Sequence, residues 1–185
     1  DAIASKGAGS AKVFSIAGKD RAAIAMAGHQ GKAFWYSQAD GHFVSSTFYY
    51  PQYPAWATAW NGQKLADSYS GKSWQLSLKP SAYKMGERDD REYESNLPIY
   101  GNTFPHHFGL TPAEDAENGG YFYMFLMSSP VVDELTVDFA KQLIREEKMG
   151  QDEITDYLAI GLSVTDYIGH FFGPSSLEQE DNLLR

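Results

Sequence analysis

The chain has 185 residues, 43% apolar and 21% charged, the balance of a folded domain with a real core rather than of a disordered segment. Its formal net charge is −9 and no run of Lys or Arg would line a string of phosphates, so duplex nucleic acid is excluded as the main partner. Small phosphorylated ligands stay open, because a local cationic pocket or a metal outweighs the global field.

No cysteine is present, which excludes disulfides, thiolate metal sites and a cysteine nucleophile. No stretch of about 18 apolar residues predicts a membrane span. Residues 1–12 hold neither an initiator Met nor the apolar core of a signal peptide, and residues 175–185 read as a helix cut short. Both ends therefore lead to the expectation of a trimmed chain.

In chain order, the apolar run VFSIA at 13–17 predicts a strand. Gly18 breaks it, Asp20 is placed to cap a helix over 21–27, and Gly28 to stop that helix. Residues 33–36 and 43–50 read as two more strands, joined through the turn-rich SQADGH as a hairpin. From Pro51 to about Gly120 the chain becomes irregular, rich in Pro, Gly, Asn and Ser and punctuated by Trp56, Trp60 and Trp74. This segment reads as a loop-rich insertion whose aromatics supply a small core. Apolar residues at 131, 135, 139 and 143 mark an amphipathic helix over 131–145, and a strand is expected at 157–163. Strand, helix and strand at both ends of an irregular middle predict an α/β sheet interrupted by a cap. The expected division is 1–50 as part of the α/β core, 51–120 as the cap insertion, and 121–185 as core carrying a metal-ligand motif.

Two pairs of residues could carry chemistry. Asp166 and His170 are four residues apart, so on a helix they point the same way and can reach one metal ion. The plainer alternative is that Asp166 caps a short helix and His170 is an ordinary polar residue. Lys19 and Arg21 follow the first predicted strand, where ligands gather in such sheets, and could hold non-bridging phosphate oxygens. Their plainer reading is a solvated pair beside Asp20. His106 and His107 are neighbours whose side chains diverge in an extended segment, which favours a structural or exposed role. No Gly-x-Ser-x-Gly elbow and no phosphate-cradling Gly-x-x-x-x-Gly-Lys-Ser/Thr loop occurs.

Several stretches together are similar to one family: VFSIAGKDRAAIAMAG (13–28), GHFVSSTFYY (41–50), PAWATAWN (54–61), YSGKSWQL (69–76), ELTVDFAKQLIREEKMGQDEITDYLAIGLSVTDYIGHFFGP (134–174) and EDNLLR (180–185). The chain resembles, from end to end, an internal portion of the alkaline phosphatase superfamily, in its monomeric phosphate-irrepressible branch, which is similar to the nucleotide pyrophosphatase/phosphodiesterases. The setting T-D-Y-I-G-H-x-F-G-P makes that resemblance specific.

The resemblance implies a sheet sandwich under a loop-rich cap. It also implies a two-zinc enzyme that hydrolyses phosphate monoesters through a phosphothreonine, with diester hydrolysis as a possible second activity of the parent. Asp166 and His170 match two ligands of the zinc on the leaving-group side; Lys19 and Arg21 match the pair that contacts the transferred phosphoryl group. The nucleophile and the remaining ligands would lie in N- and C-terminal parts outside this chain, so the 185 residues alone are expected to be inactive. The resemblance further implies a monomeric parent that is periplasmic or secreted, with a phosphate-ester small molecule as substrate. Two rivals stand beside this reading: a phosphodiesterase of the nucleotide pyrophosphatase type, and a non-catalytic binding module with Trp56, Trp60 and Trp74 in one exposed patch.

Overall fold

The structure is a computed structural model that describes residues 1–6 and 10–185. Its elements begin with α1 (Ala2–Lys6), β1 (Val13–Ala17), α2 (Asp20–Ala27), β2 (Lys32–Tyr36), β3 (Phe43–Val44) and α3 (Ala55–Asn61). They continue with β4 (Ser73–Trp74), β5 (His106–His107), α4 (Phe122–Met127), α5 (Val131–Glu146), β6 (Tyr157–Gly161), α6 (Val164–Phe172) and α7 (Leu177–Leu184). The chain divides into two compact units, one formed by Asp1–Leu65 with Asp133–Ser163 and the other by Ala66–Val132 with Val164–Arg185.

The first unit is an α/β sheet of order β3-β2-β1-β6. β1 runs parallel to both β2 and β6, with Ala17 opposite Gly161, and β3 returns antiparallel beside β2. All five residues of β1 are buried, as expected of a central parallel strand covered on both faces. Side-chain alternation along β2 explains the two coverings. Ala33 and Trp35 face α2, where Ala17, Ala23 and Ala27 complete a cluster of small residues that lets helix and sheet approach closely. Phe34 belongs to an aromatic core with Phe43 and Phe139 of α5, the last two stacked with ring centroids 4.6 Å apart. Trp60 meets Phe139 edge-on at 5.0 Å, and Trp56 packs on Phe34 at 5.6 Å.

Local differences from the sequence-based expectations have specific causes. α2 starts at Asp20 itself, with Lys19 in the N-cap position; the Asp20 carboxylate accepts from the N–H of Arg21 at 2.6 Å. Gly28 ends the helix as expected, with φ +65° and its N–H on the carbonyl of Ile24. β3 covers two residues instead of eight, because Ser46 gathers the N–H groups of Phe48, Tyr49 and Tyr50 into a turn. Phe43 points its outward N–H and C=O at the side-chain amide of Asn61, at 3.0 and 2.9 Å. β6 stops at Gly161 because the N–H of Ser163 turns to the Asp133 carboxylate instead of a strand.

The second unit holds β4 and β5 as a short antiparallel pair, with α4, α6 and α7. Tyr100 stacks on Phe125 and on His106, each at 4.8 Å, and Phe172 closes the cluster at 4.9 Å from the His106 ring. α7 docks onto the 74–106 segment through its acids. Asp181 accepts from Trp74, Ser77, Tyr83 and Arg185, and Glu180 accepts from the N–H groups of Lys84 and Met85. Among the described residues no helix is long and apolar enough to cross a membrane.

Candidate active site

α6 is built on two stripes. Val164, Ile168 and Phe172 recur every fourth residue and are buried, so the helix is fixed by that face. Asp166 and His170 lie about 200° further round, by 100° per residue, and are therefore held outward. Their side chains are 54% and 74% exposed, with Oδ2 of Asp166 3.4 Å from Nε2 of His170. An oxygen and a nitrogen donor on one helical face suit a borderline ion such as zinc, and the structure brings this predicted pair together. Among the described residues, no group of three or more His, Asp and Glu side chains is arranged to hold a metal ion. The pair fits as part of a ligand set, not as the whole of it.

Lys19 and Arg21 belong to the first unit. Lys19 sits where β1 has ended and α2 begins, with extended φ −98° and ψ 131°. Burial lowers the Lys19 ammonium from its usual range, and the charge of nearby Arg21 lowers it further. Two cations that feel each other at a strand's carboxyl end form a natural seat for a doubly charged anion. No side-chain cap fixes this helix start. It is tied instead from a distant part of the chain, as the Lys19 N–H donates to Oγ of Ser163 at 3.2 Å. Sequence reading missed Ser163 and Asp133, because hydrogen bonds across 144 and 30 residues leave no local pattern.

The remaining histidines sort cleanly. His106 is fully buried, with Nε2 3.0 Å from Glu178, so it is structural; His107 is exposed, with Nδ1 2.7 Å from Oγ of Ser73. His29 and His42 lie near Asp1 and Asp40 at 3.8 and 3.2 Å. The tryptophans do not form an exposed patch. Trp60 and Trp74 are 4% and 3% exposed in the cores of different units, and the Trp56 indole N–H is engaged by Glu147. The binding-module alternative loses the surface it needs.

No protein-family profile matches the chain. Alkaline phosphatase PhoV of Synechococcus elongatus is 38% identical over 176 residues, a stretch covering 94% of this chain and 31% of that protein. A Myroides odoratus protein named calcium-transporting ATPase is 37% identical over 178 residues, again 94% of this chain and 31% of its own. The crystal structure of wild-type alkaline phosphatase PafA matches all of this chain and 35% of its own length, at 33% identity and a TM-score of 0.85. The chain is a relative of the alkaline phosphatases. Its α/β sheet is that of the PafA structure, and the chain spans about a third of the length of the curated relatives it matches. A variant of PafA solved separately carries replacements of a threonine, an asparagine, and a lysine and an arginine two positions apart.

Proposed function

We propose that this chain contributes part of the active site of a zinc-dependent phosphomonoesterase. The observation that carries the proposal is the match to PafA over the whole chain, combined with two site pairs of suitable chemistry. Lys19 and Arg21 have the same order and spacing as the lysine and arginine replaced in the PafA variant. In this reading their cationic heads hold the non-bridging oxygens of a terminal phosphate, Arg21 as a fork and Lys19 as a point charge. A monoester offers more such oxygens than a diester, so this pair disfavours the phosphodiesterase alternative.

Asp166 and His170 would supply two of the ligands of one zinc. When bound, the zinc ions would supply electrostatic stabilisation of the charge that develops during phosphoryl transfer. The role of this chain's residues is to hold ligand atoms on a helix face that Val164, Ile168 and Phe172 keep rigid. In this reading the phosphothreonine nucleophile would come from outside these 185 residues, which alone would then not turn over. The part of 51–120 that follows α3 would serve as a cap, since α3 itself packs with the sheet through Trp56 and Trp60, and a periplasmic or secreted location follows the resemblance.

The test is hydrolysis of an aryl phosphate monoester by the full-length protein, with and without a chelator. Loss of turnover on chelation, restored by zinc, together with at least a hundredfold loss of kcat/KM in Asp166→Ala, about 2.7 kcal/mol, supports the assignment. Unaltered turnover in both Asp166→Ala and Lys19→Ala overturns it.

A further inference from the structure

We infer that Ser163 is a positioning residue that holds Lys19 in place to meet a phosphoryl group, an inference that rests on the reading of Lys19 above. Ser163 is 6% exposed and stands between β6 and α6. Its Oγ accepts from the Lys19 N–H at 3.2 Å and donates to the Gly161 carbonyl at 3.3 Å. Its own N–H donates to Oδ1 of Asp133 at 2.8 Å. One small residue thus ties the β1–α2 junction to the end of β6 and to the first turn of α5.

The geometry explains why a hydroxyl is needed. β1 and β6 are neighbours with Ala17 opposite Gly161, so the segments leaving them emerge side by side. The Lys19 N–H lies outside the helical ladder and gains nothing from it. An alanine at 163 cannot accept this N–H, whereas a hydroxyl can accept it and donate elsewhere at once. The Asp20 carboxylate is spent on the adjacent Arg21 N–H, and α2 has no side-chain cap. Ser163 therefore sets where the Lys19 backbone starts, and with it the reach of the ammonium. Misplacement of a charged group by about 1 Å can cost up to a hundredfold in rate, so a weak bond at this point has kinetic leverage.

Ser163 also leads directly into the helix that carries Asp166, so a plain loss of activity would not say which side it serves. A double-variant cycle does. In the full-length protein, kcat/KM for an aryl phosphate monoester is measured for Ser163→Ala, Ser163→Thr, Lys19→Ala and Lys19→Ala/Ser163→Ala. The expected result is a roughly tenfold loss in Ser163→Ala, recovered in Ser163→Thr, with the double variant within about twofold of Lys19→Ala alone. A Ser163→Ala loss that persists undiminished in the Lys19→Ala background overturns the inference, as does wild-type kinetics in Ser163→Ala. If Lys19→Ala itself leaves hydrolysis unaltered, the reading of Lys19 as a phosphoryl contact falls instead, and Ser163's role with it.

A second measurement needs no turnover and guards against misfolding of the alanine variant. Amide exchange of Lys19 in the 185-residue chain should accelerate in Ser163→Ala, and also in Asp133→Ala, which releases the serine from its other side. Unchanged protection of the Lys19 N–H in either folded variant overturns the tether.

Discussion

His106 and Glu178 face each other at 3.0 Å with neither side chain exposed to solvent. The other ring nitrogen of His106 is 3.3 Å from the carbonyl of Tyr100, which can only accept, so Nδ1 carries a hydrogen. The couple is boxed by the rings of Trp74, Tyr100, Phe104 and Phe172. Replacing His106 by Ala leaves Glu178 buried without its partner and should cost about 3–5 kcal/mol. The double variant His106→Leu/Glu178→Leu should cost less than His106→Ala alone, because no buried carboxyl is then left without its partner. Urea unfolding of the parent and the two variants decides this.

Glu94 gives the same unit a pH dependence. Burial first, and then the carboxylates of Glu178 and Asp89, push Glu94 up to about 7, against a hydrogen bond from the Arg91 N–H and the Arg91 charge. A carboxyl raised in the fold contributes stability below its ordinary value near 4.5, and that contribution disappears as pH rises through about 7. The urea midpoint should therefore fall between pH 5 and pH 8 in the parent chain. Glu94→Gln should flatten that slope, and an undiminished slope would refute the assignment.

Asp181 acts in the opposite direction. Burial pushes its carboxyl up, but hydrogen bonds from Ser77, Tyr83 and Trp74 outweigh burial and hold it below the usual aspartate range. Its contribution is present above the ordinary value near 3.8 and is lost as pH falls. Asp181→Ala strands the Trp74 indole N–H and the Tyr83 hydroxyl and should cost on the order of 3 kcal/mol at neutral pH. Thermal unfolding at pH 7 and pH 3 should show that penalty shrinking in acid.

Lys19 and Arg21 can be tested without any substrate. Burial and then the Arg21 charge lower the Lys19 ammonium, so Arg21→Gln should raise its titration midpoint toward the ordinary lysine value. Side-chain NMR titration of Lys19 reads the shift directly. An unmoved midpoint would mean that the two cations do not share a site.

Much of this architecture is written locally. The VFSIA strand, the helix ended by Gly28 and the every-fourth-residue pattern of α5 depend on neighbours within one or two turns, and sequence alone places them within a few residues. The Asp166–His170 pairing was legible for the same reason, since four residues along a helix dictate a shared face. The Ser163 tether and the Asp181 hub were not legible. Each joins atoms 98 to 144 residues apart, and a serine or aspartate so engaged looks in sequence like any other. The short β3 was misjudged because aromatic and β-branched residues at 43–50 favour extension, whereas Ser46 supplies a competing turn.

The Asn61 amide has a consequence for how this sheet can grow. By engaging both outward backbone groups of Phe43, it imitates a one-residue neighbouring strand and leaves that border nothing to template. Tyr53 adds a second donor to the same carbonyl. At the opposite border β6 pairs only with β1 among the described residues, and it shows Tyr157 and Ile160 to solvent. The sheet is thus a one-ended template. Any added strand, whether from the same polypeptide or from a second molecule in a concentrated solution, must zip onto β6, and unplugging Asn61 would open a second direction for aggregation.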